Sequence, residues 1–131
     1  DPRSTVRSMP SLTAASLTPQ ERRVLDRLVR LLQEELGPDL HAVWLYGSRA
    51  RGEPRRPESD VDILVVAARD RWEDHVRLGE LVTEAAEAED SSPVWFSLHV
   101  YTPERIAQRR EIRSFFIQEV DRDKIVLCGE P

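Results

Sequence analysis

Two short apolar runs that break into polar motifs at neighbouring ends constrain this 131-residue chain more than any other feature. Residues 41–46, His-Ala-Val-Trp-Leu-Tyr, lead directly into Gly47-Ser48-Arg49-Ala50-Arg51-Gly52. After a polar stretch, Ser59-Asp60-Val61-Asp62 opens a second run, Ile63-Leu64-Val65-Val66. Short runs of bulky and β-branched residues bounded by Gly and polar clusters read as buried strands, here expected over 41–46 and 60–67. In extended chain alternate side chains leave the same face, so Asp60 and Asp62 project together and Val61 points the other way. Parallel carboxylates repel unless a cation sits between them, and such hard oxygen donors suit Mg²⁺ or Mn²⁺. A Gly-Ser turn opening a short helix, expected over 48–51, offers unpaired backbone N–H groups and a hydroxyl to an anion. A metal site beside a phosphate cradle points to a bound nucleotide. Either motif alone is commonplace; their coincidence at adjacent strand ends carries the reading. The stretch from Gly47 to Gly52 lacks the terminal Lys-Ser/Thr of a Walker A loop, which excludes that kind of phosphate site.

The rest of the chain fits one α/β domain. Residues 1–16 have no period and are rich in Ser, Thr and Pro, and are expected to be a mobile tail before a domain at 17–131. Met9 is the only methionine, which makes 1–8 readable as an appended remnant ahead of the natural start. Thr18-Pro19-Gln20-Glu21 is a capping box with proline at the first helical position, followed by Val24, Leu25, Leu28, Val29, Leu31, Leu32 and Leu36 at helical spacing and a stop at Gly37-Pro38. A second helix is expected from Asp70-Arg71-Trp72-Glu73 to about residue 88, and a third strand over 94–101. Two short helices follow, one over 103–108 and one burying Ile112, Phe115, Phe116 and Val120, then a last strand at 125–127. This order predicts a small mixed β-sheet with helices packed against it.

The Gly47-Ser48 turn and the Asp60-x-Asp62 motif, with eleven residues from Arg49 to Ser59 between Ser48 and Asp60, resemble the nucleotidyltransferase superfamily that includes DNA polymerase beta, and most closely its minimal nucleotidyltransferase branch. The residue-level match runs from Gly47 to Asp62; by hydrophobic pattern it extends over about 18–127. The resemblance implies a polymerase beta-like fold and Mg²⁺-dependent transfer of a nucleoside monophosphate from a nucleoside triphosphate, with ATP the first candidate, to a hydroxyl acceptor. It assigns Asp60 and Asp62 as catalytic metal ligands and Gly47, Ser48, Arg49 and Arg51 to the nucleotide. It also implies a separate small helical partner protein, as in toxin–antitoxin pairs where the partner is the acceptor. Arg55 and Arg56 lie in the same loop, where a solvated role beside Glu53 and Glu58 is the better reading.

The family pattern calls for a third carboxylate on the following strand. Within 94–101 its place falls to Ser97, with His99 the neighbour in phase. Ser97 is a neutral, weak ligand and imidazole is a poor Mg²⁺ ligand. Glu104, the nearest downstream acid, is already accounted for as a first-turn helix residue. Two readings stay open on this point: a transferase, or a catalytically impaired nucleotide-binding or partner-binding module of the same fold.

Charge and composition exclude other classes. With 24 acidic against 19 basic residues and a net charge of −5, extended nucleic-acid binding through phosphate contacts is disfavoured. Cys128 has no partner for an internal disulfide, and His41, His75 and His99 show no metal-ligand spacing, so a zinc site is not expected. The absence of a membrane-length apolar run leads to the expectation of a soluble, cytoplasmic protein. Trp44, Trp72 and Trp95 are expected in the core, Trp95 with a possible place on the pocket wall, and Tyr101 is expected to be structural.

Overall fold

The structure, a computed structural model, describes residues 14–54 and 59–131. Strand β1 (Leu40–Tyr46) pairs antiparallel with β2 (Val61–Ala67), setting Leu45 opposite Ile63 and Tyr46 opposite Asp62. Strand β3 (Phe96–Tyr101) runs parallel to β2, and β4 (Ile125–Gly129) antiparallel to β1, giving the order β3-β2-β1-β4. A parallel neighbour needs a long crossover, which helix α2 (Trp72–Ala88) supplies between β2 and β3. The result is the expected mixed sheet.

Both faces of the sheet are covered, which is why its two central strands are apolar almost throughout. Val43, Leu45, Val61, Ile63, Val65 and Ala67 face helix α1 (Pro19–Leu36) and α2, where Leu28, Leu32, Leu78 and Leu81 close the layer. Ala42, Trp44, Tyr46, Leu64 and Val66 face the other way, under Ile106 of α3 (Pro103–Glu111) and Ile117 and Val120 of α4 (Phe115–Asp123). Asp62 is in phase with Leu64 and Val66, and so opens on the α3/α4 side.

Local chemistry sets the helix ends, at α1 as anticipated. Thr18 Oγ1 accepts from Glu21 N at 3.0 Å while Glu21 Oε1 accepts from Thr18 N at 2.8 Å, closing the capping box of α1. Thr102 and Ser114 cap α3 and α4 in the same sense. Among the described residues no helix is long and apolar enough to cross a membrane.

Several sequence expectations are corrected. Residues 48–51 form a hydrogen-bonded turn rather than a helix. Val94 and Trp95 belong to a 3₁₀ turn (Pro93–Trp95) ahead of β3. Trp72, at 76% exposure, and Trp95 are not core, whereas Trp44 is buried and donates Nε1–H to Glu130 O at 2.7 Å. Ile112 and Phe115 are exposed, because α4 begins only at Phe115 and turns Ile117 and Val120 inward instead. The stretch expected as a tail is anchored at its end: Ala15 is buried and Ser16 N donates to Arg49 O at 2.7 Å. Residues 1–13 and 55–58, with Met9, Arg55, Arg56 and Glu58 among them, lie outside the described residues.

The contrast between Leu28 and Phe115 is directly measurable. Leu28→Ala should lower unfolding free energy by about 2–5 kcal/mol in urea titration, since the side chain is deleted from a packed layer. Phe115→Ser should change it by no more than about 0.5 kcal/mol, and a loss as large as that of Leu28→Ala would show that Phe115 is packed after all.

Candidate active site

The end of β1 and the start of β2 meet at one glycine. Gly47 has φ 82°, and a Cβ there would run into the carboxylate of Asp62, so only glycine lets the turn approach that acid. The turn then closes on itself: Arg51 N donates to Gly47 O at 3.1 Å, Gly52 N to Arg49 O at 3.2 Å and Glu53 N to Ser48 O at 3.1 Å. Gly52 at φ 78° and Pro54 prevent its continuation as a helix. Any anion here would therefore meet the amides of a tight turn, without a helix dipole behind them.

Asp62 is half-buried, and its pKa is pushed up to about 6, first by loss of solvation and then by the neighbouring charge of Asp60; Arg49 and Arg51 offset part of this. Asp60 thus acts on Asp62 from just before β2, which begins at Val61 rather than at residue 60. A partly desolvated carboxylate on which a second acid acts is relieved by a hard divalent cation, and in this respect the residues fit the metal the resemblance implies. Among the described residues no group of three or more His, Cys, Asp or Glu side chains gathers into a metal site.

The third strand explains the shortfall. Ser97 lies beside Asp62 in the parallel register, where the third acid was anticipated, and His99 lies beside Leu64. His99 is exposed at the sheet edge, with its pKa lowered by partial desolvation and by His75. Glu104 cannot stand in. Tyr101 pairs with Val66, so the chain has already travelled to the opposite end of the sheet before α3 begins. At about 3.3 Å per strand residue, that end is more than 10 Å from Asp62.

The two arginines of the turn diverge. Arg49 is only 5% exposed, and its guanidinium donates to Ser59 Oγ, Ser59 O, Ser16 O and Glu21 Oε1 at 2.8–3.2 Å. Its donors are thereby directed to protein acceptors on either side of the turn, where a contact with nucleotide was the expectation. Arg51 is partly exposed and is held by Glu53 and Asp123, each at 2.6 Å. Asp123 is itself buried, and the contacts with Arg51 and Arg122 keep its pKa low against the effect of burial. Nothing in the spacing of the sequence marked Asp123, which comes from the far end of α4.

Aromatic rings cluster on the sheet face that carries Asp62, with Tyr46 paired to it. Phe116 meets Tyr46 edge-on at 5.5 Å and stacks on Tyr101 at 5.6 Å, and Arg105 lies 4.5 Å over the Tyr101 ring. The Tyr46 hydroxyl is held protonated well above its ordinary range by burial and by Asp62. Tyr46 was legible only as a strand residue; its adjacency to Asp62 follows from register. On the opposite side of the turn, a polar recess of about 340 Å³ is lined by residues including Glu21, Arg49, Ser59 and the half-exposed Trp95.

A Gly-Ser turn against paired acids at the end of a mixed sheet defines a nucleotidyltransferase domain. The chain belongs to the family described as polymerase beta, nucleotidyltransferase, whose model matches residues 27–129. Among solved structures it is similar to a mutant of the toxin–antitoxin MntA–HpeT, with 27% identity over 81% of this chain and 72% of that one and a TM-score of 0.53. It is also similar to a toxin–antitoxin structure with AMP-PNP, at 26% identity, 79% and 72% coverage and a TM-score of 0.49. A further match is a tri-AMPylated Shewanella oneidensis HEPN toxin in complex with MNT antitoxin, at 21% identity, 85% and 73% coverage and a TM-score of 0.46. Comparison with curated proteins gives no match.

Asp62 supplies a pH-dependent prediction. Its folded pKa is above the ordinary 3.8, so the unfolded chain ionises first. Native stability therefore falls as pH rises from about 4 through about 6, and the loss is complete above that. The full shift would correspond to about 3 kcal/mol, and water at the half-buried carboxylate reduces this to about 1–2 kcal/mol. Asp62→Asn should accordingly be more stable than the parent by that amount at pH 7.5 without divalent ions, and equal to it at pH 3.5. Thermal melts at both pH values decide; an Asn variant less stable at pH 7.5 would refute the strained-acid account.

Proposed function

We propose that this protein transfers a nucleoside monophosphate from a nucleoside triphosphate, ATP being the first candidate, to a hydroxyl on a partner protein. The single observation that carries the reading is the packing of the Asp62 carboxylate against Gly47 with Asp60 as its charged neighbour, which joins the acids to the Gly-Ser turn. In the reaction an acceptor oxygen bonds to the α-phosphorus, the bond from that phosphorus to the bridging oxygen breaks, and pyrophosphate departs. Asp60 and Asp62 would hold Mg²⁺ or Mn²⁺, which when bound would neutralise charge on the phosphates and acidify the acceptor hydroxyl. Ser48 Oγ and the Gly47 and Ser48 amides would receive phosphate oxygens. Arg51, partly exposed and fixed by Glu53 and Asp123, would add positive charge on the departing side.

A protein acceptor is favoured because a net charge of −5 opposes extended phosphate contacts with a nucleic acid, and because the structure similar at 27% identity is a toxin–antitoxin pair. The partner would be a small helical protein, encountered in the cytoplasm. Ser97 beside Asp62 puts a neutral side chain at the strand position expected for a third acid, and supports slow basal transfer. The same residue supports the second reading, a nucleotide-binding or partner-binding module that has lost turnover.

Incubation with α-labelled triphosphates, Mg²⁺ or Mn²⁺ and a co-encoded helical protein should label that protein, and Asp60→Asn with Asp62→Asn should abolish labelling. Ser97→Asp separates the readings: faster transfer supports the enzyme, whereas unchanged nucleotide binding with no transfer supports the module. Ser48→Ala should weaken triphosphate binding by about 1–2 kcal/mol in calorimetry, the scale of one charge-assisted hydrogen bond. Undiminished affinity would remove the turn from the site.

A further inference from the structure

We propose that Arg49 is a positioning residue that locks the phosphate-binding turn and the metal-binding acids at a fixed spacing, so that phosphate and divalent cation bind cooperatively. The inference rests on the nucleotidyl-transfer reading of the site. Arg49 follows Ser48 directly in the chain, and its side chain reaches Ser59, the residue immediately before Asp60. Nε donates to Ser59 Oγ at 3.0 Å and Nη2 to Ser59 O at 3.2 Å, so the fork grips both the side chain and the backbone there. One guanidinium thereby closes the loop that separates the two motifs, independently of how the residues between are arranged.

The same fork is anchored at its back. Nη1 donates to Ser16 O at 3.0 Å and to Glu21 Oε1 at 2.8 Å. Glu21 is also the reciprocal member of the α1 capping box, so the turn is tied to a helix end. Ser16 N returns a bond to Arg49 O at 2.7 Å, and the Ala14 carbonyl lies where a Cβ on Gly52 would fall, so residues 14–16 strap directly across the turn. The Arg49 and Glu21 side chains are 6% and 12% exposed, which leaves this ion pair little solvent in which to rearrange. A planar fork with donors in fixed directions can satisfy acceptors on three separate segments at once; a lysine ammonium on a flexible stem cannot.

This geometry gives Arg49 a task distinct from contact with ligand. Gly47 and Ser48 would offer the anion site and Asp60 half of the cation site, and a triphosphate bridging the two gains from both only if their separation is set in advance. The test measures the mutual enhancement of Mn²⁺ and inorganic tripolyphosphate by calorimetry and Mn²⁺ electron paramagnetic resonance. It uses the full chain as wild type, Arg49→Lys and Ser59→Ala. The soluble Mn²⁺–tripolyphosphate complex is common to all three proteins and cancels in the comparison.

In wild type each ligand should raise the affinity of the other by about tenfold or more, and in both variants by about threefold or less, with the affinity for Mn²⁺ alone held within about twofold. Loss of stability without loss of enhancement would mean that Arg49 is structural only, and would overturn the inference while leaving the proposed function standing. A wild-type protein that binds no tripolyphosphate in the presence of Mn²⁺ would overturn the proposed function and this inference with it. Should Arg49→Lys fail to fold, Ser59→Ala decides alone, because it keeps the arginine and its pairing with Glu21 and removes one arm of the grip on Ser59.

Discussion

The register between β1 and β2 is the constraint on which the site depends. With Tyr46 opposite Asp62, the acid falls on the α3/α4 face and its carboxylate meets Gly47. A slip of one residue would turn Asp62 into the apolar layer under α1 and α2 and bring Val61 out in its place. That alternative is closed by the burial of Val61, Ile63, Val65 and Ala67 against Leu28, Leu32, Leu78 and Leu81. Ordinary packing on one side of the sheet therefore aims the acids on the other.

A second layer of organisation is electrostatic. Asp62 pays for its position in lost solvation and in repulsion from Asp60, and nearby arginines only partly compensate. Charges around it are matched in pairs: Arg49 with Glu21, and Arg51 with Glu53 and Asp123. Buried ion pairs contribute little net stability relative to apolar packing, but removing one partner leaves a charge without compensation. Such pairs specify where loops lie more than they hold the fold together. Here they tie the turn to the start of α1 through Glu21 and to the end of α4 through Asp123. Asp62 is the acid whose charge these arginines compensate only in part.

The exposed apolar residues follow from the same division. Trp72 and Val76 lie on the outer side of α2, and Ile112 and Phe115 at the α3–α4 junction, all beyond the two layers that cover the sheet. The buried positions of α4 are Ile117, Val120 and Asp123, a helical spacing of three that leaves Phe115 outward. Phe116 reaches the sheet at an angle and joins the ring cluster with Tyr46 and Tyr101. A run of apolar residues read without a fixed helix start does not distinguish these outcomes.

The sequence by itself determined the elements that depend on local pattern: the capped α1, the two apolar strands and the start of α3 at Pro103. It also determined the family, because Gly47-Ser48 and Asp60-x-Asp62 are a spacing of chemistry along the chain. The resemblance put Ser97 where a third acid would be expected, and the parallel register sets that residue beside Asp62. Only the tertiary structure decided that residues 48–51 close as a turn and that Arg49 points inward. It also placed Asp123 beside Arg51 and Glu104 at the wrong end of the sheet. These outcomes depend on contacts between residues distant along the chain, such as Ser16 and Glu21 with Arg49. No periodicity encodes them: a charged side chain reads the same from either face until the surrounding layers have chosen which side is water and which is protein.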